Sequence, residues 1–387
     1  MLVNNVPLWS VTTWDKKYNA VDKTWQPKTI KYKYLLSDEL DKISVKNGNV
    51  RLLYTGKDIG HTTETLAGDA LSEGEIVAIP WGGTPSVKYF KGKFVTGDNR
   101  IATSNNPEEL LNKYLYYYLL GNLKELSSYY RGAGLKHPSM KDVLKMRISY
   151  PSAEVQKRII KQFDLLLDVV EMRKLQLQQL DELVKARFVE LFGDGESPIK
   201  TVEELCTAIV DCPHSTPKYE GKLKNPAIRT AEIKKGYIAW ETMRYVSDEE
   251  YEERIARLKP EAGDIVYGRE GTFGNAAILP QGYNFCLGQR VMLLRPDYSK
   301  CTSEYLLYAV ISDDVYRQAV EKNNASTVAH VNVKDVKQFK VPLPSFDKQN
   351  QFATFVEQVD KSKVAVQKAL DEAQTLFDSL MQKYFEN

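Results

Sequence analysis

The strongest constraint on this sequence is an internal repeat: residues 137–194 lie over residues 330–387 at a constant offset of 193, without a gap. A repeat of that length decides architecture before any local pattern does. Ten of the 58 aligned pairs are identical: His137/His330, Lys141/Lys334, Asp142/Asp335, Val143/Val336, Pro151/Pro344, Ser152/Ser345, Gln156/Gln349, Leu177/Leu370, Leu183/Leu376 and Phe192/Phe385. Periodicity says more than identity. In the second copy Phe352, Val356, Val359, Lys363, Val366, Leu370, Ala373, Phe377, Leu380 and Tyr384 advance by alternating steps of four and three, a heptad seam. Ile159, Phe163, Leu166, Val170, Arg173, Leu177, Leu180, Val184, Arg187 and Leu191 hold the same register in the first copy.

Each helix opens after a proline, with Ser152 or Ser345 as N-cap and Glu154 or Asp347 in the first turn; Gly193-Asp194-Gly195 stops the first. From 153 to 192 such a helix is about 60 Å long and needs a partner along its length. Arg173 takes the seam place that Val366 takes in the copy, and Lys363 that of Val170, so neither helix suits a parallel homodimer. The expectation is an intramolecular antiparallel coiled coil whose polar seam positions fix register.

The repeat continues more faintly upstream. GEIVAIPWGGT (74–84) resembles GDIVYGREGT (263–272), and NKYLYYYLL (112–120) resembles SEYLLYAVI (303–311), with offsets drifting to 189 and 191 as loop insertions require. Short β-type runs at 50–54, 75–79, 265–267 and 291–294 alternate with Gly, Asn and Pro turns, so each upstream segment reads as an α+β domain. The expected order is a domain over 1–148, a helical spacer over 149–194, a second domain over 195–341 and a second spacer over 342–387.

Composition excludes several classes. Hydrophobic residues make up 43% and charged residues 27%, an ordinary globular balance rather than that of a disordered chain. No apolar run approaches a membrane span, and MLVNNVPLWSVTTW lacks the basic start and apolar stretch of a signal peptide, so the cytoplasm is the expected compartment. Cys206, Cys212, Cys286 and Cys301 show no CxxC spacing and the four histidines are scattered, so buried thiols and no metal site are expected. Net charge is +2, but residues 1–148 hold 21 basic against 15 acidic residues, an excess that favours a polyanion.

The junctions ISYPSAEVQKRI and VPLPSFDKQNQF, the helix ending ELVKARFVELFGD, and the second-domain runs CPHSTP, IRT, GDIVYGREGTFG and CLGQR carry a family resemblance. Over essentially its whole length the chain resembles a specificity subunit of a type I restriction-modification system. The resemblance implies two target recognition domains, each reading one half of a bipartite, asymmetric site in double-stranded DNA. It also implies that the paired helices act as spacer and docking surface for two methyltransferase subunits, and with them ATP-driven restriction subunits. Two readers on a stiff rod must match the roughly 34 Å turn of the duplex. The rod then acts as a ruler.

The sequence carries no recognisable catalytic motif. The amino-methylating tetrapeptide Asn/Asp-Pro-Pro-Tyr has no match; DCPH at 211–214 lacks the second proline and the aromatic that stacks on a flipped base. GREGTFG has glycines at the wrong spacing for a dinucleotide fingerprint, and nothing fits GxxxxGKS. A binding subunit without catalytic residues or cofactor is expected. DNA contacts should come from loops and strand edges rich in Arg, Lys, Asn, Ser and Thr. In the second domain the candidates are His214, Ser215, Thr216, Lys218, Arg229, Thr230, Arg269, Glu270, Thr272, Asn275, Asn323, Asn324, Ser326 and Thr327. In the first they are Trp81, Gly82, Gly83, Thr84, Lys88, Lys91, Arg100, Arg131, Lys136 and His137. Structural roles compete at several of these: Arg100 can pair with Asp98, and His137 and His330 can buttress the following strand. Tyr114, Tyr117 and Tyr118 fall on one helical face and read as core rather than as stacking platforms for bases. The competing functions are a coiled-coil adaptor for protein partners and a self-sufficient modification enzyme.

Overall fold

The computed structural model describes residues 3–17, 24–26, 30–56, 60–193, 195–221, 224–271, 274–322 and 330–385. They form two compact units, residues 1–173 with 369–387 and residues 174–368. Each unit holds one α+β domain and a stretch of both long helices.

In the first unit six strands form one sheet, in the order Thr12–Trp14, Asn99–Ser104, Ser72–Pro80, Lys88–Thr96, Val50–Leu53, His61–Thr62. All pairings are antiparallel except that of Val50–Leu53 with Lys88–Thr96. The helix Asn112–Gly121 lays Tyr114, Tyr117 and Tyr118, all at most 3% exposed, into the core beside it. The core reading of that tyrosine face is therefore correct. Burial pushes the Tyr114 hydroxyl up to about 12 and raises those of Tyr117 and Tyr118 further.

In the second unit the domain's main strands form two sheets among the described residues. Cys206–Asp211, Val291–Pro296, Ile265–Gly268 and Ala276–Ile278 form one; Arg244–Val246, Asn225–Ile228 and Cys286–Leu287 form the other. Burial lifts the thiols of Cys286 and Cys301 to about 12 and that of Cys206 higher still, so these are inert core groups.

Both domains are closed by the same device. In the first, Val3–Pro7 pairs antiparallel with Arg147–Tyr150; in the second, Ile199–Thr201 pairs with Lys340–Pro342. Entry and exit of each domain meet at the foot of its helix.

The long helices run over Ala153–Phe192 and Phe346–Phe385. Every expected seam position is buried or half-buried. Within the first unit Phe163 packs on Phe377 and Phe385, with ring centroids 5.3 and 5.7 Å away. Within the second, Phe188 and Phe192 pack on Phe352, each at 5.4 Å, and Lys363 meets Asp181 at 2.7 Å. In the second unit higher numbers on one helix thus meet lower numbers on the other, which is antiparallel pairing. No helix among the described residues is long and apolar enough to cross a membrane.

Candidate nucleic-acid interface

In the second unit, sequence-distant loops converge at one end of the four-stranded sheet. The ladder between Ile265–Gly268 and Val291–Pro296 ends at Gly268 opposite Val291. One step beyond, the Arg269 N–H donates to the Arg290 carbonyl at 2.9 Å, and the Thr230 hydroxyl donates to that same oxygen at 3.1 Å. Glu270 bridges to His330, and the Val331 N–H donates to the Arg269 carbonyl at 2.9 Å. Gln289 Nε2 donates to Thr216 Oγ1 at 2.8 Å. The runs CPHSTP, IRT, GREG and CLGQR, with the repeated His330, therefore share one surface. Gly288 permits the approach: a Cβ there would lie 2.7 Å from the Ile228 carbonyl oxygen.

Burial sorts the candidates on this surface. His214 stands out, its side chain 77% exposed and 3.8 Å from Asp211, and Lys218 is exposed. Ser215 and Thr216 are exposed but bonded, Ser215 receiving Arg254 at its carbonyl and hydroxyl. Two arginines expected to touch DNA are instead occupied. Arg229 is held by the buried Glu232 through Nε and Nη2 and gives a further bond to the Thr242 carbonyl; Arg269, 8% exposed, is paired with Asp211 at 2.7 Å. A buried carboxylate needs such a partner, and the pairing takes up the fork that a base edge would use. Asn275 donates to the Ile233 carbonyl at 3.3 Å, inside the glycine loop. Thr272, Asn323, Asn324, Ser326 and Thr327 lie outside the described residues.

The first unit builds the corresponding place from different residues. Its ladder between Ser72–Pro80 and Asn99–Ser104 ends with the Trp81 N–H donating to the Asp98 carbonyl at 2.9 Å. His137 Nδ1 donates to the Trp81 carbonyl at 2.7 Å with the two rings 5.4 Å apart, and the Gly83 N–H donates to the Lys136 carbonyl at 3.2 Å. In both units the repeated histidine thus buttresses the loop that follows a central strand. Gly83 turns that loop at φ +96°, Gly82 is half-buried against Leu135, and Thr84 is exposed. Lys136 is exposed, and Arg131, 71% exposed, is joined to Asp142 at 2.7 Å. Lys91, 72% exposed, stands opposite Glu75 on its strand.

Two first-domain expectations fail. Arg100 is 0% exposed and pairs with Asp15 at 3.0 Å; Nη2 also bonds the Asp15 carbonyl at 2.7 Å, and Nη1 bonds that of Lys17. Lys88 donates to the carbonyls of Tyr54 and Thr55. Both cations complete backbone acceptors inside the domain. Sequence reasoning also overlooked Arg290, whose signal was its place after the glycine of CLGQR.

Two α+β domains, each passing into one of two duplicated helices and carrying unlike loops after a central strand, mark a protein built from two tandem copies of one domain-and-helix module. The family model of the type I restriction modification DNA specificity domain matches residues 46–182 and again residues 211–373, and the chain belongs to that family. It is 23% identical to the type I restriction enzyme EcoBI specificity subunit of Escherichia coli over 328 residues, covering 74% of this chain and 68% of that protein. It is 21% identical to the EcoDI specificity subunit of the same organism over 347 residues, covering 80% and 77%. The fold is shared with the crystal structure of a type I restriction-modification S subunit from M. genitalium at a TM-score of 0.60 and 16% identity, covering 100% of this chain and 96% of that one. The chain is a type I DNA specificity subunit carrying two specificity domains in tandem.

Proposed function

We propose that each domain reads one half of a split, asymmetric site in double-stranded DNA, and that the paired helices set the spacing and dock two methyltransferase subunits. An ATP-driven restriction subunit joins the same assembly, and the chain itself performs no catalysis. The observation that carries this reading is the unlikeness of two equivalent loop surfaces. Where the second domain ends its ladder with Arg290 beside Glu270, the first ends with Asp98, whose carboxylate is taken by Lys17. Identical surfaces would suit a palindrome; unlike ones suit unrelated half-sites.

The helices carry apolar side chains off the seam. Leu165, Met172 and Leu376 in the first unit, and Leu175, Leu183, Val189 and Val364 in the second, are each at least 48% exposed. Such side chains support docking of protein subunits. Methylome sequencing of cells with and without the gene tests the proposal. The expected result is one bipartite adenine-methylation motif that disappears with the gene; no change in any such motif sinks it.

A further inference from the structure

Arg290 lies in the left-handed backbone region, at φ +64°. For a side chain other than Gly, Asn or Asp that conformation is uncommon and strained. It persists here because the Arg290 carbonyl is gripped from two sides, by the Arg269 N–H and the Thr230 hydroxyl. The side chain is 65% exposed and ion-paired: Nε lies 2.9 Å from Glu270 Oε2. The other Glu270 oxygen lies 3.3 Å from His330 Nδ1. Among the described residues, no hydrogen bond or ion pair engages the two terminal nitrogens of the guanidinium, and His214 and Lys218 in the neighbouring CPHSTPK run are exposed too. Arg229 and Arg269, on the same surface, are each paired with a carboxylate.

We infer that Arg290 is a specificity-determining residue of the second domain, reading a guanine through bonds from its two terminal nitrogens to O6 and N7 in the major groove. An unusual backbone conformation held from two sides, an ion-paired Nε and two uncommitted donors suit such a contact. Glu270 acts as the positioning residue. The inference rests on the DNA-reading function proposed above and adds the base and the side chain.

The test uses the full chain assembled with its modification subunits and reads the methylated motif for wild type, Arg290→Gly, Arg290→Lys and Glu270→Gln. Wild type must first give a bipartite motif; if it gives none, the proposed function fails and Arg290 is not at issue. Given that motif, Arg290→Gly should relax one guanine in one half-site, with discrimination falling roughly ten- to a hundredfold, while the other half and the gap stay fixed. Arg290→Lys should lose most of the same discrimination because an ammonium lacks the fork. Glu270→Gln should weaken it at the same position. Because glycine relieves the backbone, Arg290→Gly should melt no lower than wild type, which separates lost reading from lost folding. Uniformly weaker methylation with the motif intact and a salt slope reduced by about one would mark a phosphate contact and overturn the inference. An unchanged motif would overturn it as well.

Discussion

Gln156 and Gln349 are both fully buried, and each satisfies its whole amide in the same way. Gln156 accepts from the Leu111 N–H at 2.9 Å and donates to the carbonyls of Glu109 and Pro151; Gln349 accepts from the Thr302 N–H at 2.9 Å and donates to those of Lys300 and Pro344. Each glutamine ties the first turn of a long helix to the residue that opens a helix of its own domain, Asn112–Gly121 or Ser303–Val310. Gln156→Leu leaves three part-buried backbone groups unpaired and should cost about 2–3 kcal/mol, read in urea unfolding. The sequence displayed the identity of the pair but not its use, because the partners lie 45 and 47 residues away. Arg100 was hidden for the same reason: Asp15 sits 85 positions earlier. Burial raises the Asp15 carboxyl above its usual value, against the pull of Arg100 and of N–H donors from Ile101 and Lys17. Arg100→Met leaves that carboxylate without its guanidinium and should cost about 3–5 kcal/mol at neutral pH. A raised carboxyl binds its proton more tightly in the folded state, so the penalty should shrink as pH falls through the folded pKa. A pH series of melting midpoints checks the sign; a penalty that grows on acidification contradicts it.

Among the elements, the helices were legible and most strand pairings were not. A heptad repeats often enough within one segment to show its seam, and it placed both helices over 40 residues each. The clasp of Val3–Pro7 with Arg147–Tyr150 joins chain ends that share no periodicity, and nothing local announces it. The seam's energetics follow from its contacts. Phe163 is fully buried between Tyr117, 4.8 Å away, and the rings of Phe377 and Phe385. Phe163→Ala should therefore cost about 3–5 kcal/mol through lost transfer energy and an unfilled cavity. Lys363 with Asp181 should contribute far less. Their side chains are 25% and 53% exposed, so a double-mutant cycle should return a coupling below about 1 kcal/mol. Its use is to favour one register, since sliding the helices by a heptad would set Lys363 against apolar neighbours. A coupling of several kcal/mol would show that the pair stabilises rather than selects.

At the scale of the whole molecule, duplication gives a chain whose two halves can diverge separately. Each domain closes on itself through its own strand clasp and anchors to its own helix through its own glutamine, so a foreign domain joined at the clasps meets the same local contacts. The surface residues that differ between the copies, Trp81, Asp98 and Lys136 against Glu270, Arg290 and His214, lie outside those clasps. Replacing residues 1–148 by the first domain of another family member should then change one half-site of the methylated motif and leave the other half and the gap as they were. If phosphate contacts supply much of the binding, the exchange should also move the linear fall of log affinity with log salt by an amount set by the cations gained or lost. A hybrid that alters both half-sites would mean that recognition is coupled through the helices, and the two domains would no longer count as independent readers.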